Sequence, residues 1–285
     1  MLNPLIIRIV FLFIFVKINF ASANTDVEPL KRGEYLFNLG GCASCHSVEN
    51  GNPLAGGLAM ATNFGTFYTP NISPDRSTGI GSWDDEGFIQ AMTKGESPDG
   101  QHYYPSFPYT SYSKMTRQDL IDLKHYIDTQ PAFSQINKPH NLEFPFNIRP
   151  LLIFWKLFNF NQSTYQVNTG KSDQWNRGAY IVNGPGHCVE CHTPRNLIGG
   201  LDTGQLLAGN PDGPEGESVP GLTKDKGNRI SQWTSEDIQF SLQLGMIPDG
   251  DFLGGSMGHV IENTTSRLSE NDLRAITVYL NDIKG

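Results

Sequence analysis

Two short sequences contain all four cysteines of the chain, and each ends in a histidine. They are Cys42-Ala43-Ser44-Cys45-His46 and Cys188-Val189-Glu190-Cys191-His192. The Cys-x-x-Cys-His spacing is typical of covalent haem attachment, because two thiols one helical turn apart can bond to both vinyl groups of one porphyrin. The adjacent imidazole then binds the iron as its proximal ligand. The sequence therefore predicts two covalently attached haem c groups, with Cys42, Cys45, His46, Cys188, Cys191 and His192 as binding residues.

Two other uses of paired cysteines fit this sequence less well. A redox dithiol needs a thioredoxin-like βαβ setting, which the sequence does not show. A zinc site would draw on two pairs separated by 142 residues, and zinc does not require a histidine directly after each pair. Haem attachment is therefore the preferred interpretation.

The composition and the first residues indicate an exported, acidic protein. The 285 residues include 21 basic and 29 acidic side chains, a net charge of −8, which argues against nucleic acid and against anionic lipid headgroups as partners. Residues 1–23 contain Arg8, an apolar run at 9–16 and a small-residue cleavage box ending at Ala23. We expect a signal peptide cleaved after Ala23 and a periplasmic product. A retained N-terminal membrane anchor is the alternative, although Lys17 ends the apolar run short of the roughly 20 residues that a span needs.

An internal repeat divides the chain. Arg32-Gly33-Glu34-Tyr35 corresponds to Arg177-Gly178-Ala179-Tyr180 ahead of the two cysteine motifs. Pro98-Asp99-Gly100 corresponds to Pro248-Asp249-Gly250 behind them, and the offset between 72 and 100 is a constant 150 residues. A repeat of this length predicts two homologous domains. We expect a signal peptide at 1–23, a first domain at 24–130, a connecting segment at 131–169 and a second domain at 170–285.

Each expected domain contains three helix patterns separated by loops rich in glycine and proline. The last helix of each domain opens with a capping-box pattern, Thr116-x-x-Asp119 and Ser269-x-x-Asp272. Because strand patterns are scarce, we expect an all-α fold whose loops surround the porphyrin edges. The earlier helices are predicted at 32–39, 83–94, 177–183 and 233–244.

This arrangement resembles class I c-type cytochromes. More closely, the chain is similar to the dihaem cytochrome c family akin to the first two haem modules of the cytochrome subunits of membrane-bound alcohol and gluconate dehydrogenases. The sequences that carry the resemblance lie at 99–112 (DGQHYYPSFPYTSY), 142–150 (LEFPFNIRP), 175–196 (WNRGAYIVNGPGHCVECHTPRN) and 248–258 (PDGDFLGGSMG). It implies two tandem class I domains and a role in electron transfer.

A sixth iron ligand can be suggested for each haem. Methionine sulfur is the usual partner in high-potential cytochromes c, and position and resemblance indicate Met257, on a loop before the last helix. The offset of 150 places Phe107 opposite Met257, and a phenyl ring cannot bind iron. Met115, at the end of the same loop, is the favoured ligand of the first haem. His102, Met92 and an open position are the alternatives.

Two residues that follow the second motif could support it. The carbonyl of Pro194 could orient His192 through its second ring nitrogen, whereas Val48 stands at the matching place in the first motif. Arg195 could pair with a haem propionate or could remain a solvated surface charge.

The connecting segment contains a conspicuous apolar run at 150–158. Nine residues are too few to cross a bilayer. The run could pack across both domains, or it could form a docking face for a dehydrogenase or for the membrane surface.

These features predict a periplasmic dihaem electron carrier with no catalytic residues of its own, since the cofactor supplies the redox chemistry. The expected donor is a periplasmic or membrane-bound dehydrogenase, and the expected acceptor is another cytochrome or a terminal oxidase. The acidic charge suggests a basic patch on at least one partner. The alternative function is a dihaem enzyme, peroxidase-like or thiosulfate-oxidising, that uses an open or labile position at the first haem.

Overall fold

The computed structural model describes residues 27–283, so the expected signal peptide lies outside the described residues. Residues 27–130 are called the first half below, and residues 170–283 the second half. Helices of the first half are α1 (Val27–Leu39), α2 (Cys42–His46), α3 (Asp85–Lys94), α4 (Tyr109–Tyr112) and α5 (Arg117–Asp128), and α6 (Leu152–Asn159) follows in the connecting segment. Helices of the second half are α7 (Asp173–Asn183), α8 (Val189–His192), α9 (Ser235–Leu244), α10 (Gly255–Asn263) and α11 (Glu270–Asp282).

The middle helices α3 and α9 begin and end at matching places. Their N-caps, Asp84 and Thr234, accept hydrogen bonds from the backbone three residues later. Each helix ends at a glycine in the left-handed region, Gly95 at φ 62° and Gly245 at φ 76°, a conformation that glycine adopts without a Cβ penalty. Both helices start two residues later than predicted, because the N-cap residue interrupts the helix.

The capping boxes predicted for α5 and α11 form only in part. Thr116 and Ser269 do accept hydrogen bonds from the backbone N–H of Asp119 and Asp272. The backbone N–H groups of Thr116 and Ser269 do not donate to these carboxylates; they donate to the hydroxyls of Tyr180 and Tyr35, each at 3.2 Å. Each helix therefore has a one-sided cap, and the carboxylates of Asp119 and Asp272 bind side chains of other helices.

The first and last helices of each half cross closely, α1 against α5 and α7 against α11. Both crossings depend on a glycine, Gly33 in α1 and Gly178 in α7. A Cβ at Gly33 would overlap the backbone carbonyl of Asp122, and a Cβ at Gly178 would overlap that of Ala275. The repeated Arg-Gly-x-Tyr sequence thus includes the residue that allows the two helix axes to approach.

A small sheet accompanies the helices and was not predicted. Strands β1 (Ala59–Thr62) and β2 (Gly65–Tyr68) form an antiparallel hairpin, and β3 (Asn141–Leu142) from the connecting segment pairs with β2. The fold is mostly helical, in line with the all-α expectation.

One continuous apolar core joins both helix pairs. Residues such as Leu120 and Ile127 from α5 and Leu273 and Leu280 from α11 are at most 3% exposed and belong to the same cluster. Within residues 27–283, no helix combines the length and the apolar character that crossing a membrane requires.

Candidate haem-attachment sites

A left-handed residue directly precedes each cysteine pair. Gly41 precedes α2 at φ 59°, and His187 occupies the matching place before Cys188 at φ 40°. After this residue the short helices begin: α2 contains both cysteines and the histidine of the first motif, and α8 begins directly after Cys188, which is its N-cap residue. The motif residues therefore lie on one helical turn in both halves, as the spacing predicted.

The two histidines of the motifs are oriented in the same way. His46 Nδ1 donates to the carbonyl of Pro70, and His192 Nδ1 donates to the carbonyl of Pro220, each at 2.8 Å. Because the carbonyl can only accept, the proton sits on Nδ1 and Nε2 keeps its lone pair, the form in which imidazole binds a metal.

The role predicted for Pro194 is wrong. Its carbonyl accepts a hydrogen bond from the backbone N–H of Asp202, so it does not orient His192. The proline that does so, Pro220, lies 28 residues beyond the histidine along the chain. A repeat signal could have revealed it, because Pro70 and Pro220 obey the same offset of 150 residues as the segment behind them.

All four cysteines are free thiols. Burial raises the pKa of Cys42 and of Cys188 to about 12, with a further rise from the second cysteine of each pair. The two thiols are therefore neutral at ordinary pH. Each motif presents two unpaired sulfurs beside one metal-binding imidazole nitrogen, which is the donor set that covalent haem c requires.

The residues just before the two motifs contact each other. His187 Nε2 donates to the carbonyl of Gly40, next to the first motif, at 3.2 Å. The ring of Tyr112 packs edge-on against His187 with ring centroids 5.6 Å apart. From the opposite direction, α10 of the second half packs against α2 of the first. The attachment sites are therefore neighbours and not two separate ends of the chain.

Glu190, inside the second motif, forms a buried polar link between the halves. Its side chain is 9% exposed and accepts hydrogen bonds from Thr110 and from Ser111 Oγ at 2.6 Å, both in α4 of the first half. Arg195 donates to Glu190 Oε2 at 2.8 Å and to its backbone carbonyl. Arg195 is thus bonded to the protein and is not a free surface charge.

Two tyrosines of the repeated Arg-Gly-x-Tyr sequence cross the boundary in opposite directions. Tyr35 Oη donates to Asp272 at 2.6 Å, and Tyr180 Oη donates to Asp119 at 2.5 Å. The arginine of each sequence stays within its own half, where Arg177 pairs with Asp272 at 2.7 Å and Arg32 pairs with Asp122. Sequence reasoning found the repeat but missed this exchange of contacts.

The predicted sixth ligands lie in different surroundings. Met257 is the third residue of helix α10, where a loop was expected, and its side chain is partly buried. Met115 is 2% exposed and belongs to the central apolar core just before the cap of α5. Phe107 packs against the rings of Tyr103 and Tyr112.

The alternative ligands of the first haem already have protein partners. His102 Nδ1 accepts a hydrogen bond from the Lys156 ammonium at 2.8 Å and lies 3.4 Å from the Glu96 carboxylate. Burial and the nearby Lys156 lower the pKa of His102. Met92 is 6% exposed in the core, on α3.

Comparisons with known proteins agree with the motif geometry. Residues 30–131 match the family described as cytochrome c. The chain is 45% identical over 255 residues to a diheme cytochrome c-type protein of Cereibacter sphaeroides, covering 87% of this chain and 84% of that one. The fold and the two thiol–imidazole sets thus define a haem-binding electron-transfer class of protein.

Two other relatives are longer than this chain. It is 34% identical to the gluconate 2-dehydrogenase cytochrome c subunit of Pantoea cypripedii, covering 89% of this chain and 59% of that one. It is 33% identical to the alcohol dehydrogenase (quinone) cytochrome c subunit of Gluconobacter oxydans, covering 91% of this chain and 55% of that one. The chain belongs to the cytochrome c family, whose domain carries covalently bound haem c.

Proposed function

We propose that the chain is a dihaem electron carrier built from two tandem cytochrome c domains, at 24–130 and 170–285, joined by a connecting segment at 131–169. The observation that carries this proposal is the matched orientation of His46 and His192, each through Nδ1 to a proline carbonyl at 2.8 Å. A single attachment site would not need the same supporting bond twice. The name of the Cereibacter relative supports a count of two haems.

Each domain supplies its own set of attachment residues. Cys42 and Cys45 would hold the first haem and Cys188 and Cys191 the second, through thioether bonds. When bound, haem iron alternates between two oxidation states and so supplies one-electron chemistry. The protein residues fix the histidine tautomer, place each imidazole at the end of its own short helix and keep the two sites close together.

The sixth ligands remain part of the proposal. Met257 would complete the second site, from a helix that packs beside α9 and α2. Met115 would complete the first site. Because its side chain is packed in the core, the segment before Thr116 would have to shift for the sulfur to reach the iron. Substitution to leucine tests both, because leucine keeps the apolar volume and removes the sulfur.

The partners follow from the names of the relatives. Several are cytochrome subunits of dehydrogenases, which supports a dehydrogenase as electron donor, with a cytochrome or terminal oxidase as acceptor. Export to the periplasm through the signal peptide at 1–23 completes the proposal. The net charge of −8 predicts partner reactions that slow as ionic strength rises, because salt screens steering between opposite charges.

Optical and paramagnetic resonance spectra of the purified haem protein test the carrier against the enzyme. We expect two low-spin haems that give up and accept electrons without reacting with peroxide. Met257→Leu should abolish one methionine–iron signal and Met115→Leu the other. A high-spin first haem that binds and consumes peroxide would contradict the carrier and support the alternative enzyme.

A further inference from the structure

Helix α6 of the connecting segment has its apolar side turned outward. Its exposed residues include Ile153 at 53%, Phe154 at 61%, Leu157 at 75% and Phe158 at 78%. At 100° per residue these positions fall on one side of the helix. A surface helix of a globular protein normally places such a stripe against the core. The orientation of α6 is therefore the reverse of the usual one.

Polar bonds on the opposite side fix this orientation. Lys156 Nζ donates to the backbone carbonyls of Lys94 and Gly95, each at 2.8 Å. Trp155 Nε1 donates to the carbonyl of Ile198 at 2.8 Å. These bonds reach the first half and the second half of the molecule, so α6 is clamped between them and its outer side is not free to turn inward.

The loop that Trp155 binds enlarges the exposed apolar surface. Leu197 at its tip is 99% exposed, and Ile198 is 49% exposed. Asn196, one residue earlier, donates to Asn159 Oδ1 at 2.7 Å and holds the loop alongside α6. The α6 patch is defined here as Ile153, Phe154, Leu157, Phe158, Leu197 and Ile198.

The chemistry of the α6 patch favours lipid over protein as its partner. None of its six side chains contains a hydrogen-bonding group, whereas protein interfaces carry about one hydrogen bond per 100–200 Å². The overall charge of −8 opposes an anionic surface, but residues 144–172 around the patch contain none of the 29 acidic residues of the chain. A membrane surface bearing anionic headgroups would therefore meet no like charge in this stretch.

We propose that the α6 patch docks on the surface of a lipid bilayer, with α6 lying in the interfacial plane and its phenyl and aliphatic side chains entering the acyl boundary. Amphipathic helices bind membranes in this way without crossing them. A rigid helix suits the task because no ordering of the chain is needed on contact. This inference concerns a surface outside both attachment sites and goes beyond electron transfer.

Vesicle flotation with the purified haem protein tests the proposal. Vesicles of phosphatidylcholine with phosphatidylglycerol should carry the unaltered protein upward in a density gradient. The triple variant Phe154→Ser, Leu157→Ser, Phe158→Ser should bind the vesicles at least about tenfold more weakly than the unaltered protein, since it removes most of the apolar area that would enter the lipid.

A matched control uses exposed apolar residues elsewhere in the structure. Phe240→Ser, Leu244→Ser and Phe252→Ser alter the same residue types at exposures of 47%, 56% and 63%, on the second half. This control should float as the unaltered protein does. An unaltered protein that stays at the bottom, or an equal loss for both triple variants, overturns the proposal.

Two further measurements keep the test decisive. Hydrogen exchange of the unaltered protein should slow over residues 151–160 when vesicles are added and stay unchanged over 236–245. This measurement does not depend on whether a variant folds. Sedimentation without lipid should show a monomer. Self-association that the Phe154 triple variant abolishes would instead assign the α6 patch to a second copy of this chain and overturn the lipid proposal.

Discussion

The two halves of the molecule share a frame and differ in the loop that precedes the last helix. In both, an Arg-Gly-x-Tyr helix crosses the last helix, and a proline carbonyl orients the histidine of the cysteine motif. Where the second half has Met257 on a regular helix, α10, the first half has Phe107 within a group of aromatic rings. The helix crossing and the histidine support are repeated and form a shared frame, whereas the residues around each proposed haem differ between the halves.

This difference separates what holds an attachment site from what tunes it. A thiol pair and a fixed imidazole need only a helical turn and one distant carbonyl, and the two halves supply these at nearly the same distances. The residues opposite the imidazole affect redox properties through ligation and burial. Two haems with unlike environments would suit a carrier that passes electrons in one direction.

The motifs themselves differ at their central positions, where Ser44 of the first corresponds to Glu190 of the second. Ser44 is exposed, but Glu190 is buried and binds α4 of the other half. Glu190→Ala should therefore cost about 3 kcal/mol of unfolding free energy, because Arg195 and two hydroxyls lose their common partner. Denaturant unfolding measures this cost. Ser44→Ala, the matched control, should change stability by less than about 0.5 kcal/mol.

A cost for Glu190→Ala no larger than that for Ser44→Ala would show that the two motifs are energetically alike. Glu190→Gln sharpens the comparison, because the amide oxygen can still accept from Ser111 while the charge facing Arg195 is lost. Its stability should fall between those of the alanine variant and the unaltered chain.

The shared helix crossing predicts equal sensitivity in the two halves. Gly33→Ala and Gly178→Ala should each destabilise the protein by about 2 kcal/mol or more, because the new Cβ meets a backbone carbonyl that cannot move aside. Gly254→Ala is the control, since a Cβ there has no neighbour within 4 Å. Thermal unfolding compares the three variants, and a large cost in one half only would mean that the frames are not equivalent.

The crossing tyrosines predict a smaller effect with a slight asymmetry. Tyr35→Phe and Tyr180→Phe should each cost about 1.5 kcal/mol, because each hydroxyl donates to an aspartate and accepts from the backbone N–H of Ser269 or Thr116. The cost should be greater for Tyr180→Phe. Asp119 then retains only Arg32 at 3.7 Å, whereas Asp272 still has Arg177 at 2.7 Å when Tyr35 is changed. Urea unfolding of both variants checks the order, and the reverse order would contradict it.

The carboxylate of Asp272 should also affect stability at acid pH. Burial alone would raise the pKa of Asp272, but hydrogen bonds from Arg177 and Tyr35 outweigh burial and place this pKa below its ordinary 3.8. A lowered pKa stabilises the folded state above the ordinary value, and this stabilisation is lost as pH falls through the folded-state pKa. Stability measured downward from about pH 4 should therefore fall less steeply for Asp272→Asn than for the unaltered chain.

Much of the frame could be predicted from the sequence because it depends on short, local patterns. The helix starts at Thr116 and Ser269, the ends at Gly95 and Gly245, and the placement of each motif on a helical turn all follow from neighbouring residues. The family resemblance was confirmed by the relatives.

The contacts between halves could not be predicted in the same way. Pro220 orients His192 from 28 residues away, and Tyr35 reaches Asp272 across 237 residues. Pairings at such separations depend on how the chain folds back, which no local period encodes. The sequence left open whether the apolar run at 150–158 packs inward or faces outward, since such a run resembles a core helix until its partners are known.

The mass of the purified haem protein and of two cysteine variants tests the central claim most directly. Intact mass spectrometry should show two covalent haem groups on the unaltered chain. It should show one haem on the double variant with Cys42→Ala and Cys45→Ala, and one haem on the double variant with Cys188→Ala and Cys191→Ala. A chain that carries one haem or none, or a double variant that still carries two, would contradict the claim that each motif binds its own haem.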